Sequence, residues 1–350
     1  MRGHPGVVST ATPTIDDTAP AVPTRPGIGL AQIVAAGVLF GSTASLSKVA
    51  LEAGVEPRQL AAVRCTGVAL GLLLLLAPTA RGRLRVPWRS LPQLAVLGVV
   101  GAALIQWFYF VAIDRVPVGI AILVEFTGPV LVAVWARVVL REAVPPVVWV
   151  ALGLSLAGLG MVARVWADTD LDALGMAAAI GAAVCLATFL LLGRHTGGVH
   201  EPLVATFWTF AFASLFWVVV EPPWGVDGGV LTETTSLQGA LGGIELPVWA
   251  VVVGVIVLGT LVPYVLYMAA LRHLTAATAG VVGMLEPVVA TVVAWAWLGQ
   301  SLVAVQLVGG VVVLVGVGLA QRAAAAGASP PAAPRRGGAR GDAERPPAAA

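Results

Sequence analysis

The sequence predicts an all-α, polytopic membrane protein with ten transmembrane helices arranged as two inverted five-helix repeats. Three observations predict it: an oil-rich composition, a run of apolar stretches each long enough to cross a bilayer, and a self-match at a fixed offset. Of the 350 residues, 58% are hydrophobic and 11% charged, whereas soluble domains are about 45–50% apolar and roughly 25% charged. A span needs about 20 apolar residues, so this length accommodates many of them.

The apolar stretches run over 28–50, 57–78, 91–112, 117–138, 144–164, 173–193, 202–220, 247–270, 275–297 and 301–320. Each must be helical, because lipid offers no partner to a free backbone N–H or C=O. The connections are short except 221–246, which is rich in Gly and acidic residues and carries no Lys or Arg. The ends, 1–27 and 323–350, lack the apolar periodicity of a packed element and read as disordered cytoplasmic tails. Residues 1–26 also lack the basic start and short apolar core of a signal peptide.

Loop arginines set the orientation. With a cytoplasmic N-terminus, the inner segments carry Arg25, Arg81, Arg83, Arg85, Arg89, Arg137, Arg141, Arg194, Arg272 and Arg322, besides those of the tails. The outer loops carry only Arg58, Arg115 and Arg164. Both termini are therefore expected in the cytoplasm. Trp88, Trp149, Trp166, Trp224 and Trp249 fall near span ends, as an interfacial aromatic belt requires. The Ala- and Arg-rich composition points to a GC-rich bacterial genome and hence to the inner (plasma) membrane.

Shifting the chain by 158 residues lays 109–164 on 267–322 without a gap. Tyr109 meets Tyr267, Pro129 meets Pro287, Gly158 meets Gly316 and Arg164 meets Arg322. Five helices per repeat is an odd number, so the second repeat enters the membrane from the opposite side. The expected units are 28–164 and 173–320. Inverted repeats with a site near the midplane are a recurring design of secondary transporters, and exchanging the roles of the halves gives alternating access.

Ionisable side chains deep in a span are unfavourable by roughly 2.5–3.5 kcal/mol each on insertion scales and mark functional sites. Four lie within the spans away from their boundaries: Lys48, Arg64, Glu125 and Glu286. Lys48 is the chain's single lysine and shares a helix face with Gly41 and Ser45; it is either a substrate ligand or a side chain snorkelling to the outer interface. Arg64 can clamp a substrate carboxylate or pair with Glu125. Glu125 and Pro129 stand at i and i+4. Proline has no N–H, so the Glu125 carbonyl loses its helical partner. In the other repeat Pro287 frees the carbonyl of Gly283, and the carboxylate stands one turn on, at Glu286. The two prolines mark the expected site and its flexing points. Gln106, Tyr109, Thr127, Tyr264 and Tyr267 can supply polar contacts or serve as packing. Gly153, Ala157, Gly309, Gly310, Gly316 and Gly318 suit close helix packing, with a homodimer contact as the alternative.

The half-repeat pattern resembles the EamA domain of the drug/metabolite transporter superfamily. The resemblance rests on Lys48, Pro57 through Arg64, the run Val116-Pro117-Val118-Gly119-Ile120-Ala121, Glu125-Phe126-Thr127-Gly128-Pro129, Arg141-Glu142 and Glu286-Pro287, and it covers about residues 28–320. The second repeat departs from the pattern with Gly299-Gln300, where the first keeps Glu142. Two segments, "VPVGIAILVEFTGPVLVA" and "TLVPYVLYMAAL", look closest to the threonine/homoserine exporter branch. That likeness implies efflux of small amino acids by a secondary carrier. Lys48 or Arg64 would take the carboxylate. Glu125 and Glu286 would take the ammonium or couple to protons, since burial disfavours the charged form of a carboxyl group.

Multidrug or other metabolite efflux is the alternative within the class. A non-transporting scaffold or sensor is the alternative outside it. An enzyme is not expected: no paired Ser and His, His/Asp metal cluster or glycine-rich phosphate loop stands in a suitable context. Cys65 and Cys185 lie in apolar segments and do not read as a disulfide framework. None of His4, His195, His200 and His273 lies deep in a span, so no metal or other cofactor is expected. The expected partners are a small-molecule substrate, the lipid bilayer and protons as coupling ion, with no nucleic acid.

Overall fold

The computed structural model describes residues 25–79, 84–166 and 172–327. The expected disordered tails fall almost wholly outside these residues, as do Arg81 and Arg83. The described chain is overwhelmingly helical: α1 (Pro26–Glu52), α2 (Pro57–Thr79), α3 (Trp88–Ile113), α4 (Val118–Val138), α5 (Pro146–Val162), α6 (Ala173–Val199), α7 (Pro202–Val220), α8 (Val248–Ala270), α9 (Ala276–Leu298) and α10 (Ala304–Gly327). Among the described residues nine of these are long and apolar enough to cross a membrane. The exception is α5, with 17 residues. At about 1.5 Å per residue it reaches about 26 Å, short of a hydrocarbon core of about 30 Å. Its expected span, 144–164, is trimmed at one end by Pro145 and Pro146, which admit no earlier helical turn, and at the other by Arg164, whose φ of 51° leaves the helix. Large apolar side chains such as Leu74, Val138, Val219 and Val311 are exposed along the helices, as a lipid-facing surface requires. Together these features make the chain a polytopic helical membrane protein.

Four helices are irregular, at matching places. The middle of α3 is π-wound over Val99–Leu104 and that of α8 over Val257–Leu261, positions 158 apart at their starts. Helix α4 breaks between Val118–Glu125 and Gly128–Val138, and α9 between Ala276–Gly283 and Leu285–Leu298. The helix breaks fall where Pro129 and Pro287 withhold a backbone N–H. Just beyond α4 and α9, Arg141 (φ 55°) and Gly299 (φ 69°) adopt the same left-handed backbone at the same offset.

Glycines set the tightest packing. A Cβ at Gly158 of α5 would lie 2.6 Å from the Gly309 carbonyl of α10, and one at Gly309 would lie 2.6 Å from the Gly158 carbonyl. The two backbones therefore touch, as small residues allow. A Cβ at Gly41 of α1 would lie 2.6 Å from the Glu286 carbonyl, and one at Gly128 of α4 would lie 2.8 Å from the Ala183 carbonyl of α6. Gly153 and Gly318, expected at packing positions, face open space.

The long connection 221–246 is structured. It holds a helical turn, Gly228–Thr232, and an antiparallel pair, β1 (Thr234–Ser236) and β2 (Glu245–Pro247), in the register Thr235 opposite Leu246. Leu237 is buried against Val49, Val248 and Val251, and its carbonyl accepts the Trp297 indole N–H at 2.9 Å. Gln238 Nε2 donates to Glu52, and Gln59 Nε2 donates to the Gly225 carbonyl at 3.3 Å. This strap thus lies across one end of α1, α2, α8 and α9.

Candidate functional site

The helix breaks and π-wound turns bring a group of polar side chains to the middle of the molecule. Glu125 ends the first half of α4, and Glu286 opens the second half of α9. Both lie well inside their spans, yet both are only half-buried. Neither has a hydrogen-bond or ion-pair partner among the described residues. An unpaired carboxylate in hydrocarbon carries a steep desolvation penalty, which makes both side chains conspicuous at this depth. The two carboxylates are near enough for their charges to act on each other. Both act on Tyr109 of α3, and the Arg64 charge acts on Glu286. Tyr264 of α8 feels Arg64, Glu286 and Glu125. Glu125, Glu286, Arg64, Tyr109 and Tyr264 therefore form one cluster drawn from α2, α3, α4, α8 and α9.

Arg64 is held from α8. Its Nε–H donates to Thr260 Oγ1 at 2.9 Å and its Nη2 donates to the Gly259 carbonyl at 3.3 Å. Both acceptors belong to the π-wound turn of α8. Arg64 is not paired with Glu125: no ion pair among the described residues joins them, and the guanidinium bonds to Thr260 and Gly259 of α8 instead.

The remaining expected residues separate by place. Tyr264 packs edge-on against Phe40, Phe189 and Phe210, with ring centroids 5.3, 5.5 and 4.7 Å away. Tyr267 is buried and donates its hydroxyl to the Ala279 carbonyl at 3.2 Å. It thereby braces the first half of α9, and a Cβ at Gly283 would come within 3.0 Å of that hydroxyl. Gln106 donates to the Ala102 carbonyl at 2.9 Å and leaves its Oε1 buried without a partner. Thr127 donates to the Val124 carbonyl at 2.6 Å, so its hydroxyl hydrogen is spent within its own turn. Pro129 is buried, and a Cβ at Gly280 of α9 would meet its ring at 2.7 Å. Pro287 is half-buried at the start of the second half of α9.

Lys48 stands apart. It is exposed near the end of α1 and pairs with Glu52 at 3.5 Å, one turn on. Of the two alternatives left by the sequence, this is the geometry of an interfacial lysine. Glu142, after α4, lies 4.0 Å from Arg194 at the end of α6; Gln300, at the corresponding place after α9, carries no charge for such a pair.

Thr260 and Gly259 were not found from the sequence. A threonine among Val, Leu and Gly carries no mark of its role, which depends on a partner 196 positions away. The offset of 158 sets Thr260 against Ala102, so the repeat did not flag it either.

Fold and site together define a helical, polytopic membrane protein with two unpaired carboxylates inside its spans. The chain belongs to the EamA-like transporter family, which matches it twice, over residues 27–164 and 173–321. It is 33% identical over 244 residues to the threonine/homoserine exporter RhtA of Escherichia coli (strain K12), covering 69% of this chain and 74% of that protein. To RhtA of Salmonella typhimurium (strain LT2) it is 31% identical over the same shares. An uncharacterized transporter of Archaeoglobus fulgidus is 27% identical over 236 residues, 67% of this chain and 77% of its own. Among solved structures, one crystal structure superposes with a TM-score of 0.66 at 18% identity, covering 86% of this chain and 99% of that one. That likeness concerns the fold alone.

Proposed function

We propose that this protein is a secondary carrier that exports small amino acids such as threonine and homoserine across the bacterial inner membrane. In this reading its ten helices form two inverted five-helix repeats, 28–164 and 173–320, with both termini cytoplasmic, and the halves alternate access to one central site. The observation that carries the reading is the pair Glu125 and Glu286: unpartnered, largely buried and well inside their spans, each at a helix break that recurs in both halves. The matched π-wound turns and reciprocal glycine contacts support the repeat. The relatives support the substrate class.

A zwitterionic amino acid suits the cluster. Its ammonium can be received by the carboxylates and its carboxylate by Arg64, whose planar fork matches a carboxylate's two oxygens. Carboxylates that exchange their charge with a bound ammonium also offer a route for protons as the coupling ion.

The test is export from cells loaded with threonine-containing dipeptides, following amino acids in medium and cytoplasm. Cells with the intact protein are expected to release threonine or homoserine faster than an empty control, and Glu125→Gln is expected to abolish the difference at equal membrane abundance. No difference for any amino acid would overturn the substrate assignment and direct the assay to cationic drugs and other metabolites. Release that is unaffected by Glu125→Gln and Glu286→Gln would remove the carboxylates from the mechanism.

A further inference from the structure

We propose that Thr260 is a positioning residue: from the π-wound turn of α8 it fixes the Arg64 guanidinium as the receptor for the substrate's carboxylate, and so sets the carrier's demand for a free carboxylate. The inference rests on the amino-acid reading above and adds to it the device that makes Arg64 selective.

The argument begins with donor and acceptor capacity. Thr260 is buried, and its hydroxyl has one hydrogen and two lone pairs. The hydrogen goes to the Val255 carbonyl at 3.2 Å, five residues back along the widened turn. With the hydrogen fixed there, a lone pair is turned to Arg64 Nε at 2.9 Å. The neighbouring Gly259 carbonyl takes Nη2 at 3.3 Å. A regular α-helix keeps its carbonyls for the residue four places on; π-wound turns, which depart from that ladder, are frequent at functional sites. Gly259 also lets α1 close in from behind, since a Cβ there would lie 2.8 Å from Thr43 Oγ1. The guanidinium is thus clamped on two of its three nitrogens, while Nη1 has no partner among the described residues. A clamped guanidinium with a free nitrogen, half-buried and within electrostatic reach of Glu286, is prepared for an anionic group that arrives with a cationic one. An amino acid provides both.

Arg64 alone would supply charge; Thr260 supplies direction. Removing the hydroxyl while keeping the side chain's shape is therefore expected to weaken recognition of the carboxylate without stopping the carrier's cycle.

The experiment uses the purified full chain in proteoliposomes and measures counterflow of labelled threonine, with threonine amide, which lacks the carboxylate, as competitor. The intact protein is expected to prefer threonine over its amide by at least about tenfold. Thr260→Val is expected to raise the half-saturation for threonine about tenfold, to change the maximal rate less than about twofold, and to compress the preference over the amide. Thr260→Ser, which keeps the hydroxyl, is expected to behave as the intact protein. Arg64→Lys keeps the charge but has no N–H at the Nε position, and adding Thr260→Val to it is expected to change half-saturation by less than about twofold.

An unchanged half-saturation and preference in Thr260→Val overturns the proposal, as does a Thr260→Ser variant as impaired as the valine. Should Thr260→Val not reach the membrane, the decision falls to Thr260→Ser with Arg64→Lys: full loss of amide discrimination in the lysine variant supports the clamp, and retained discrimination overturns it. Absence of threonine counterflow in the intact protein overturns the amino-acid reading itself, and the clamp with it.

Discussion

Helices α4 and α9 break at the same aligned place, but they do not carry the same charges there. In α4 the carboxylate is Glu125, the last residue before the break; in α9 the aligned residue is Gly283, and the carboxylate is Glu286, the second residue after the helix resumes. The disparity extends to α2 and α7. Each opens on a proline, and as far into α7 as Arg64 lies in α2 stands Thr209, buried and bonded to its own turn. The halves also differ at one rim, where only the second carries the strap 221–246. Backbone irregularities are thus repeated and side-chain chemistry is not. In the carrier proposed above, a repeated backbone with one guanidinium at the cluster would hold an asymmetric solute in one orientation, where a symmetric charge set would hold it in two.

The comparison can be broken most severely at the contact between the halves. A Cβ at Gly158 would lie 2.6 Å from the Gly309 carbonyl and 2.7 Å from the Val313 nitrogen, both backbone atoms that cannot yield. Gly158→Leu is expected to abolish monodisperse protein in fluorescence-detected gel filtration, whereas Gly153→Leu, facing open space, leaves the profile unchanged. Next come the carboxylates. Glu286→Gln is expected to cut threonine flux by roughly tenfold or more, about 1.4 kcal/mol in the barrier, without loss of folded protein; flux within twofold of normal would reduce the site to Glu125 alone.

A smaller effect is expected at the strap. Trp297→Phe removes the indole N–H that holds the Leu237 carbonyl, a net loss of about 0.5–1.5 kcal/mol. A cysteine placed at Leu237 is then expected to react with an impermeant maleimide several-fold faster; Cys65 and Cys185 are buried and give little background. The smallest change is at Arg141, which adopts the left-handed backbone that Gly299 takes at the equivalent point. Arg141→Gly relieves a strain of about 1–2 kcal/mol and adds back some backbone entropy, so the thermal midpoint is expected to rise slightly or stay level, while Gly299→Ala lowers it.

The helices were legible because membrane spans leave a long apolar signal, and the repeat because Tyr109, Pro129 and Arg164 recur 158 residues on. Glu125 and Glu286 stood out because a charge within a span is costly and therefore conspicuous. What escaped the sequence was geometry without composition. A π-wound turn uses the same residues as an α-turn, so Val99–Leu104 and Val257–Leu261 looked like ordinary helix. The β1–β2 pair is too short for an alternating pattern to emerge from its Gly-rich surroundings. The clamp on Arg64 joins residues far apart in the chain, which spacing does not reveal. Lys48 is the converse case: its nearness to the end of α1, where the structure pairs it with Glu52, outweighs the shared face with Gly41 and Ser45.

The strap's attachments belong to both family-matched segments of the chain. Its two covalent ends join α7 and α8, and its bond to Trp297 joins α9, all in the second half. Its bonds from Gln238 to Glu52 and between Gly225 and Gln59 reach α1 and α2, in the first. In the alternating-access cycle proposed above, an opening at that rim would have to break the bonds to Glu52 and Gln59 while the covalent ends and the Trp297 bond hold. The strap is a clasp sewn to one side of a garment. A spectroscopic label at Gly243, where an added side chain meets nothing within 4 Å, would ride with the sewn side, and its distance to a second label on α1 would record each opening.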